Sequence, residues 1–255
     1  MSHPAESPHT IPEIVTALRT TQPYYQFDAA PQLQRKTAIG LIGPTGIGKT
    51  TLGTEVVRID PDITTIGTTT TRARRFDDPE SFKTADEGVT HLSMYQSIRE
   101  KKLVNYSVND DGHIYGTSPA DFGGEYAIGP MSSDSVDTLM TAGFRDFFPV
   151  VMVTDGDTYR QRLERRLEQS KQPMAAVEKR LNESLATIAF ARLNFDAQWL
   201  SFIDSGDGEK DLESAANDVT KIAYQRTLPI MTFERRLQLL DEMQQTITRA
   251  QGQLR

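Results

Sequence analysis

Residues 43 to 50 read Gly-Pro-Thr-Gly-Ile-Gly-Lys-Thr, directly after the apolar run Thr37 to Ile42. An unbroken apolar run of this length is the pattern of a strand buried on both faces of a parallel sheet. The glycines end it, and Lys49 to Arg58 reads as a helix. Strand, glycine loop and helix, in that order, form a phosphate-binding loop. Gly43, Gly46 and Gly48 tolerate the dihedral angles that turn backbone N–H groups onto one anion. The helix behind them points its positive end at the same place. The expected ligand is a nucleoside triphosphate, ATP, held by Gly43, Pro44, Thr45, Gly46, Ile47, Gly48, Lys49, Thr50 and Thr51. Lys49 is expected to reach the terminal phosphates, and the Thr50 hydroxyl to ligate Mg²⁺. At average glycine content such a pattern arises by accident in about one per cent of chains this long, and the preceding strand lowers that further.

The rest of the chain alternates strands and helices. Extended stretches are predicted at Thr64 to Thr71, Glu125 to Ile128, Phe148 to Val153 and Gln198 to Ile203. Leu103 to Val108 and His113 to Tyr115 read as two strands joined across Asn109-Asp-Asp-Gly112. Helices are predicted at Pro12 to Thr21, His91 to Lys101, Asp157 to Gln169, Pro173 to Asn194, Leu212 to Tyr224 and Met231 to Gly252. This alternation predicts an α/β fold with a mainly parallel sheet flanked by helices. The last helix carries Phe233, Leu237, Leu240 and Ile247 on one side. Packing on the domain is the favoured reading; a partner or homodimer surface is the other. Met1 to Thr10 reads as a disordered tail and Pro23 to Gln34 as a linker.

Composition narrows the chemistry. The 255 residues include no cysteine, which excludes disulfides, thiolate zinc sites and cysteine nucleophiles, and fits a reducing cytoplasm. His3, His9, His91 and His113 show no ligand spacing. No run approaches the roughly 20 apolar residues of a membrane helix, and the first residues do not read as a secretory signal. The formal net charge of −7 weighs against a nucleic-acid partner. An anion must therefore be held by a local cluster of cations. Thr68-Thr-Thr-Thr-Arg-Ala-Arg-Arg75 offers one, since Arg72 and Arg75 can make bidentate contacts to phosphate; a solvated basic loop is the alternative. Arg162 and Arg166 share a helix face. They read either as solvated charge or as a lid that spreads charge over a transferring phosphoryl group. No Asn-Lys-x-Asp motif reads guanine, as a GTPase would require, and no apolar strand ends cleanly in the acids of a motor ATPase.

In their order, these motifs resemble the guanylate kinase family from about Ala38 to Tyr224. They are the glycine loop, Thr70-Thr-Arg-Ala-Arg-Arg75, Tyr115-Gly-Thr117, Arg162-Leu-Glu-Arg-Arg166 and Arg180-Leu181. The resemblance implies a P-loop kinase fold over residues 37–225, with an acceptor-binding part near 69–123 and a mobile Arg-rich lid near 155–180. Residues 1–36 would be an extension and 226–255 an added amphipathic helix. It implies that Arg72, Arg75 and Tyr115 hold the acceptor's phosphate, with Thr117 beside them, and that Lys49, Arg162, Arg166 and Arg180 close on ATP. Phe82 stands where the family has a phosphate-binding tyrosine. Thr68 stands where a base-contacting hydroxyl is expected.

Two departures qualify the resemblance. Asn105 occupies the place of the glutamate that reads guanine, and a neutral amide cannot accept from guanine as a carboxylate does. The family's Asp-x-Asp strand end is replaced by Ala127 to Asp134, where Asp134 is the nearest substitute. The expected activity is transfer of the γ-phosphoryl of ATP, with Mg²⁺, to a nucleoside or deoxynucleoside monophosphate other than GMP. A binding or regulatory module without turnover, and a kinase of another phosphorylated small molecule, are the rivals.

Overall fold

A computed structural model of the chain describes residues 10–20, 31–75, 78, 80–109, 111–170, 173–226 and 231–254. The expected tail, apart from Thr10, and the linker as far as residue 30 lie outside the described residues.

The central sheet is built on β1 (Thr37–Ile42), whose six residues are all buried. That burial is the physical counterpart of its unbroken apolar sequence. A crossover through α2 (Lys49–Ile59) leads to β2 (Ile63–Thr65), and later come β7 (Tyr126–Pro130), β8 (Asp146–Val153) and β9 (Ser201–Asp204). The order across the sheet is β2-β7-β1-β8-β9, and every neighbouring pair is parallel. The chain is therefore α/β with a parallel central sheet. Helices α5 (Gly156–Ser170), α6 (Met174–Leu193) and α7 (Glu209–Gln225) flank it, with a short α4 (Val136–Met140).

A second, four-stranded sheet has the order β4-β3-β6-β5. It comprises β3 (Thr68–Thr70), β4 (Phe82–Lys83), β5 (Asn105–Val108) and β6 (Ile114–Thr117), with α3 (His91–Arg99) packed on it. The pair β5–β6 is antiparallel, as the alternation around Asn109 to Gly112 predicts. The two-residue β4, pairing with β3 in parallel, has no readable sequence pattern.

The N-terminal helix α1 (Ile11–Thr20) is not a mere extension. Its Ile14 and Leu18 are buried against Met94, Ile98, Leu103, Tyr106 and Ile114, so the core of the second sheet includes it. Arg19 also donates to the Asn109 carbonyl at 2.6 Å, bracing the β5–β6 turn.

The final helix α8 (Phe233–Gln253) packs on α5 and α6. Leu239, Leu240, Met243 and Ile247 are fully buried, each worth about 1.5–3 kcal/mol. Leu240 and Ile247 face inward as expected, but Phe233 and Leu237, expected on the same side, are 53% and 36% exposed. The Gly156 N–H donates to Glu242 Oε2 at 2.9 Å, and Gln251 donates to Asn182 at 2.7 Å. These contacts tie α8 to the start of α5 and the middle of α6. Among the described residues, no helix is long and apolar enough to cross a membrane.

Candidate functional site

The loop after β1 turns sharply at two glycines. Gly46 has φ +80° and Gly48 φ +105°, left-handed values that side chains disfavour. Gly48 begins α2 without any side-chain cap. The first N–H groups of a helix have no partner within it, and here nothing replaces the cap. The N–H groups of Gly46, Gly48, Lys49, Thr50 and Thr51 make no hydrogen bond within the described chain. Five unbonded donors and the positive end of a helix thus lie together, an arrangement suited to an anion. Lys49 crosses the loop and donates to the carbonyls of Gly43 at 2.6 Å and Pro44 at 3.0 Å. Burial pushes its ammonium down to about 8, with the Arg166 guanidinium adding to the fall. An arriving phosphate, by its opposite charge, would offset both effects.

The loop lies at the carboxyl end of β1, where ligands bind in open α/β sheets. It forms one wall of a cleft of about 860 Å³. Lys49, Arg75, Arg162, Arg165, Arg166, Lys179 and Arg180 line this cleft, against three carboxylates, Asp111, Asp134 and Glu183. In a chain of net charge −7, that concentration of cations is a local field for anions.

The expected donor residues come together. Gly43, Pro44, Thr45, Gly46, Gly48, Lys49, Thr50, Thr51, Arg162, Arg166 and Arg180 all line the cleft. Ile47 is buried beneath it, its side chain in the core. Arg162 points its donors away from the mouth. It donates to the Ile47 carbonyl and the Ser205 hydroxyl, each at 2.9 Å, and to the Gly206 carbonyl. It therefore fastens the loop to the β9–α7 connection. Burial, then the nearby Arg165, lowers its pKa from the ordinary value.

The segment expected to be a mobile lid is docked. Tyr159, fully buried on α5, donates to the Thr45 carbonyl at 3.1 Å, and burial raises its pKa. Ser184 on α6 accepts from the Thr45 N–H at 3.0 Å. Lys179 reaches Asp111 of the β5–β6 turn at 3.2 Å, bridging the cleft from α6 to the second sheet.

The expected acceptor residues divide. Arg75 and Tyr115 line the cleft; Thr68, Arg72, Phe82, Asn105 and Thr117 do not. Arg72 is occupied elsewhere. Its guanidinium makes a bidentate pair with Asp78, both contacts 2.6 Å, with both side chains 7% exposed. Burial alone would raise the Asp78 carboxyl; the Arg72 fork and the Arg75 N–H reverse this and hold it below the usual range. Arg72 thus holds Asp78 and lies over the ring of Tyr115, 5.8 Å from its centroid, without itself lining the cleft. Asn105 donates to the Ser135 hydroxyl at 2.8 Å. Phe82 is buried, Thr68 pairs with Phe82 in register, and Thr117 pairs with Asn105.

The cleft is also lined by residues not expected at the site: Ser107, Asn109, Asp111, Ser132 and Ser133, and Lys179 from α6. No spacing signals them, because a turn, two strand ends and a helix bring them together. Strand β7 carries no carboxylate, and Asp134, exposed in the cleft just beyond it, is the first to follow. Mg²⁺ takes one or two protein oxygens plus phosphates and water. The exposed Thr50 hydroxyl and Asp134 fit that requirement.

No family model and no curated protein matches the chain. Among solved structures, it is similar to guanylate kinase from Anaplasma phagocytophilum at 13% identity and TM-score 0.49, covering 76% of this chain and 86% of that one. It is also similar to HypB from Helicobacter pylori, solved in complex with nickel, at 11% identity and TM-score 0.32, covering 78% and 92%. Likenesses this distant carry no conclusion about the chemistry of this cleft.

Proposed function

We propose that the chain is an ATP-dependent phosphotransferase whose acceptor itself carries a phosphate, a nucleoside monophosphate other than GMP being the expected case. One observation carries the reading. The uncapped start of α2, with five unbonded N–H groups and Lys49, shares a cationic cleft with Arg75 and Tyr115. Two anion-holding walls on one cleft suit a donor triphosphate and an acceptor phosphate.

The donor phosphates would lie on the N–H groups of Gly46 to Thr51, with Lys49 leaving the loop carbonyls for the terminal phosphates. The Thr50 hydroxyl and Asp134 would hold Mg²⁺, whose charge would help neutralise the phosphates. Arg75 and the Tyr115 hydroxyl would hold the acceptor phosphate. One of its oxygens attacks the γ-phosphorus while the bond to the β–γ bridging oxygen breaks, and ADP leaves with that electron pair. An ionised phosphate oxygen has no proton to lose, so no general base is needed. The work left to the protein is orientation and charge stabilisation by Lys49, Arg166 and Arg180.

Release of ADP from ATP·Mg²⁺ should be measured against a panel of nucleoside and deoxynucleoside monophosphates and other phosphorylated small molecules. Turnover with at least one acceptor, lost in Lys49→Ala, is expected. Turnover with GMP alone would contradict the altered base reading. A second reading, a nucleotide-binding module without turnover, is favoured by the absence of a carboxylate on β7 and by Arg72 being paired with Asp78. ATP binding with no acceptor turned over would select it.

A further inference from the structure

We infer that Ser184 on α6, seconded by Tyr159 on α5, is a positioning residue that sets the tip of the phosphate loop for a triphosphate rather than a diphosphate. The inference rests on the proposal that ATP binds this loop.

Thr45 stands at the tip, and both of its backbone polar groups are held by side chains from elsewhere. Its N–H donates to Ser184 Oγ at 3.0 Å. Its carbonyl accepts from the Tyr159 hydroxyl at 3.1 Å. The Ser184 hydroxyl in turn donates to the Arg180 carbonyl at 2.7 Å, so its proton is assigned and one of its two lone pairs is used. The next two loop residues are also fixed by α5. A side-chain carbon at Gly46 would stand 3.4 Å from the Arg162 carbonyl oxygen and the Leu163 Cα. Arg162 donates to the Ile47 carbonyl at 2.9 Å. Thr45 and Ile47, on either side of Gly46, are thus both held by side-chain hydrogen bonds.

Ser184 is 1% exposed on a helix face otherwise made of Val177, Leu181, Ile188 and Ala191. A buried hydroxyl amid apolar side chains is costly unless paired. This one is paired to the loop and lies one turn from Arg180, which lines the cleft. The hydroxyl therefore fixes the register between the loop's N–H row and the lid arginines.

Ser184 fixes the peptide between Pro44 and Thr45, and Tyr159 the peptide between Thr45 and Gly46. With Ser184 removed, the Pro44–Thr45 peptide is free to turn, and its carbonyl, which accepts from Lys49 Nζ at 3.0 Å, turns with it. Lys49 is the side chain that reaches the terminal phosphates, so a displaced Pro44 carbonyl shifts its ammonium chiefly at that end. The loss should fall on ATP more than on ADP.

The test is equilibrium binding of fluorescent ATP and ADP analogues with Mg²⁺ to the full chain. The proteins are wild type, Lys49→Ala, Ser184→Ala, Ser184→Thr and Tyr159→Phe, with thermal midpoints recorded alongside. Ser184→Ala should reduce the preference for ATP over ADP about tenfold, Tyr159→Phe should act in the same direction, and Ser184→Thr should restore most of it. An unchanged ATP:ADP ratio in Ser184→Ala overturns the inference. Equal weakening of both nucleotides with a lowered midpoint also overturns it, since that is what a purely structural hydroxyl would do. Binding of neither nucleotide by wild type, with Lys49→Ala no different, would instead sink the ATP reading itself.

Discussion

Replacing Arg72 and Asp78 separates a structural arginine from a substrate-holding one. Their side chains are 7% exposed and joined by two 2.6 Å contacts. Removing one member strands a buried charge, which costs about 3–5 kcal/mol. In a domain of this size each kcal/mol moves the thermal midpoint by roughly 2–4 °C. Arg72→Ala and Asp78→Ala should therefore each lower the midpoint by roughly 6–20 °C. The double variant should cost less than the sum of the singles, because neither charge is then left alone. Folding holds the Asp78 carboxyl below its ordinary value. Stability from the pair is accordingly present above the unfolded value of about 3.9 and is lost as pH falls through the lower folded value. Differential scanning calorimetry of the four proteins from pH 3 to 7 measures both effects. Arg75→Ala, exposed in the cleft, should leave the midpoint nearly unchanged and raise the acceptor KM about 10- to 100-fold, the loss of about 1.5–3 kcal/mol of charge-assisted contact. If Arg72→Ala and Asp78→Ala leave stability within about 0.5 kcal/mol while Arg72→Ala raises the acceptor KM, the structural role is refuted.

Lys49 gives a pH prediction of opposite sign. Its ammonium is lowered to about 8 in the free protein and should be raised again by phosphate. ATP affinity should thus fall as pH rises above 8, and calorimetry in buffers of different ionisation enthalpy at pH 8.5 should show proton uptake that Lys49→Ala abolishes. The unfolded chain holds this proton more tightly than the folded one, so the group's effect on apo stability becomes more favourable between about pH 8 and 10.5. Leu240→Ala, at 0% exposure on α8, should cost about 2–5 kcal/mol; chemical denaturation would show it, and a change below about 1 kcal/mol would mean α8 is not part of the core.

Sequence legibility followed the range of the forces involved. Strand β1, the glycine turn and α2 were readable because their signals are local: an apolar run, positive-φ glycines and helix-forming residues. The charged helices α5 and α6 were readable for the same reason. What the sequence could not say is where long side chains point. Arg72 was expected at the acceptor phosphate, yet a carboxylate six residues on, Asp78, bonds both of its terminal nitrogens. Asn105 was expected to read a base, yet its amide is bonded to Ser135, thirty residues away. The first helix looked like an appendage because its partners, Met94 to Ile114, are remote in sequence. Ser184 did leave a trace: a lone hydroxyl on an apolar helical stripe marks a buried partner, though not which one.

The central claim is that the loop from Gly43 to Thr50 holds the phosphates of ATP. Isothermal titration of the wild-type chain with ATP·Mg²⁺ tests it most directly. Binding in about the 1 μM–1 mM range, weakened at least about a hundredfold in Lys49→Ala while the fold is retained, is the predicted result. No heat of binding, or equal affinity in the two proteins, would contradict it.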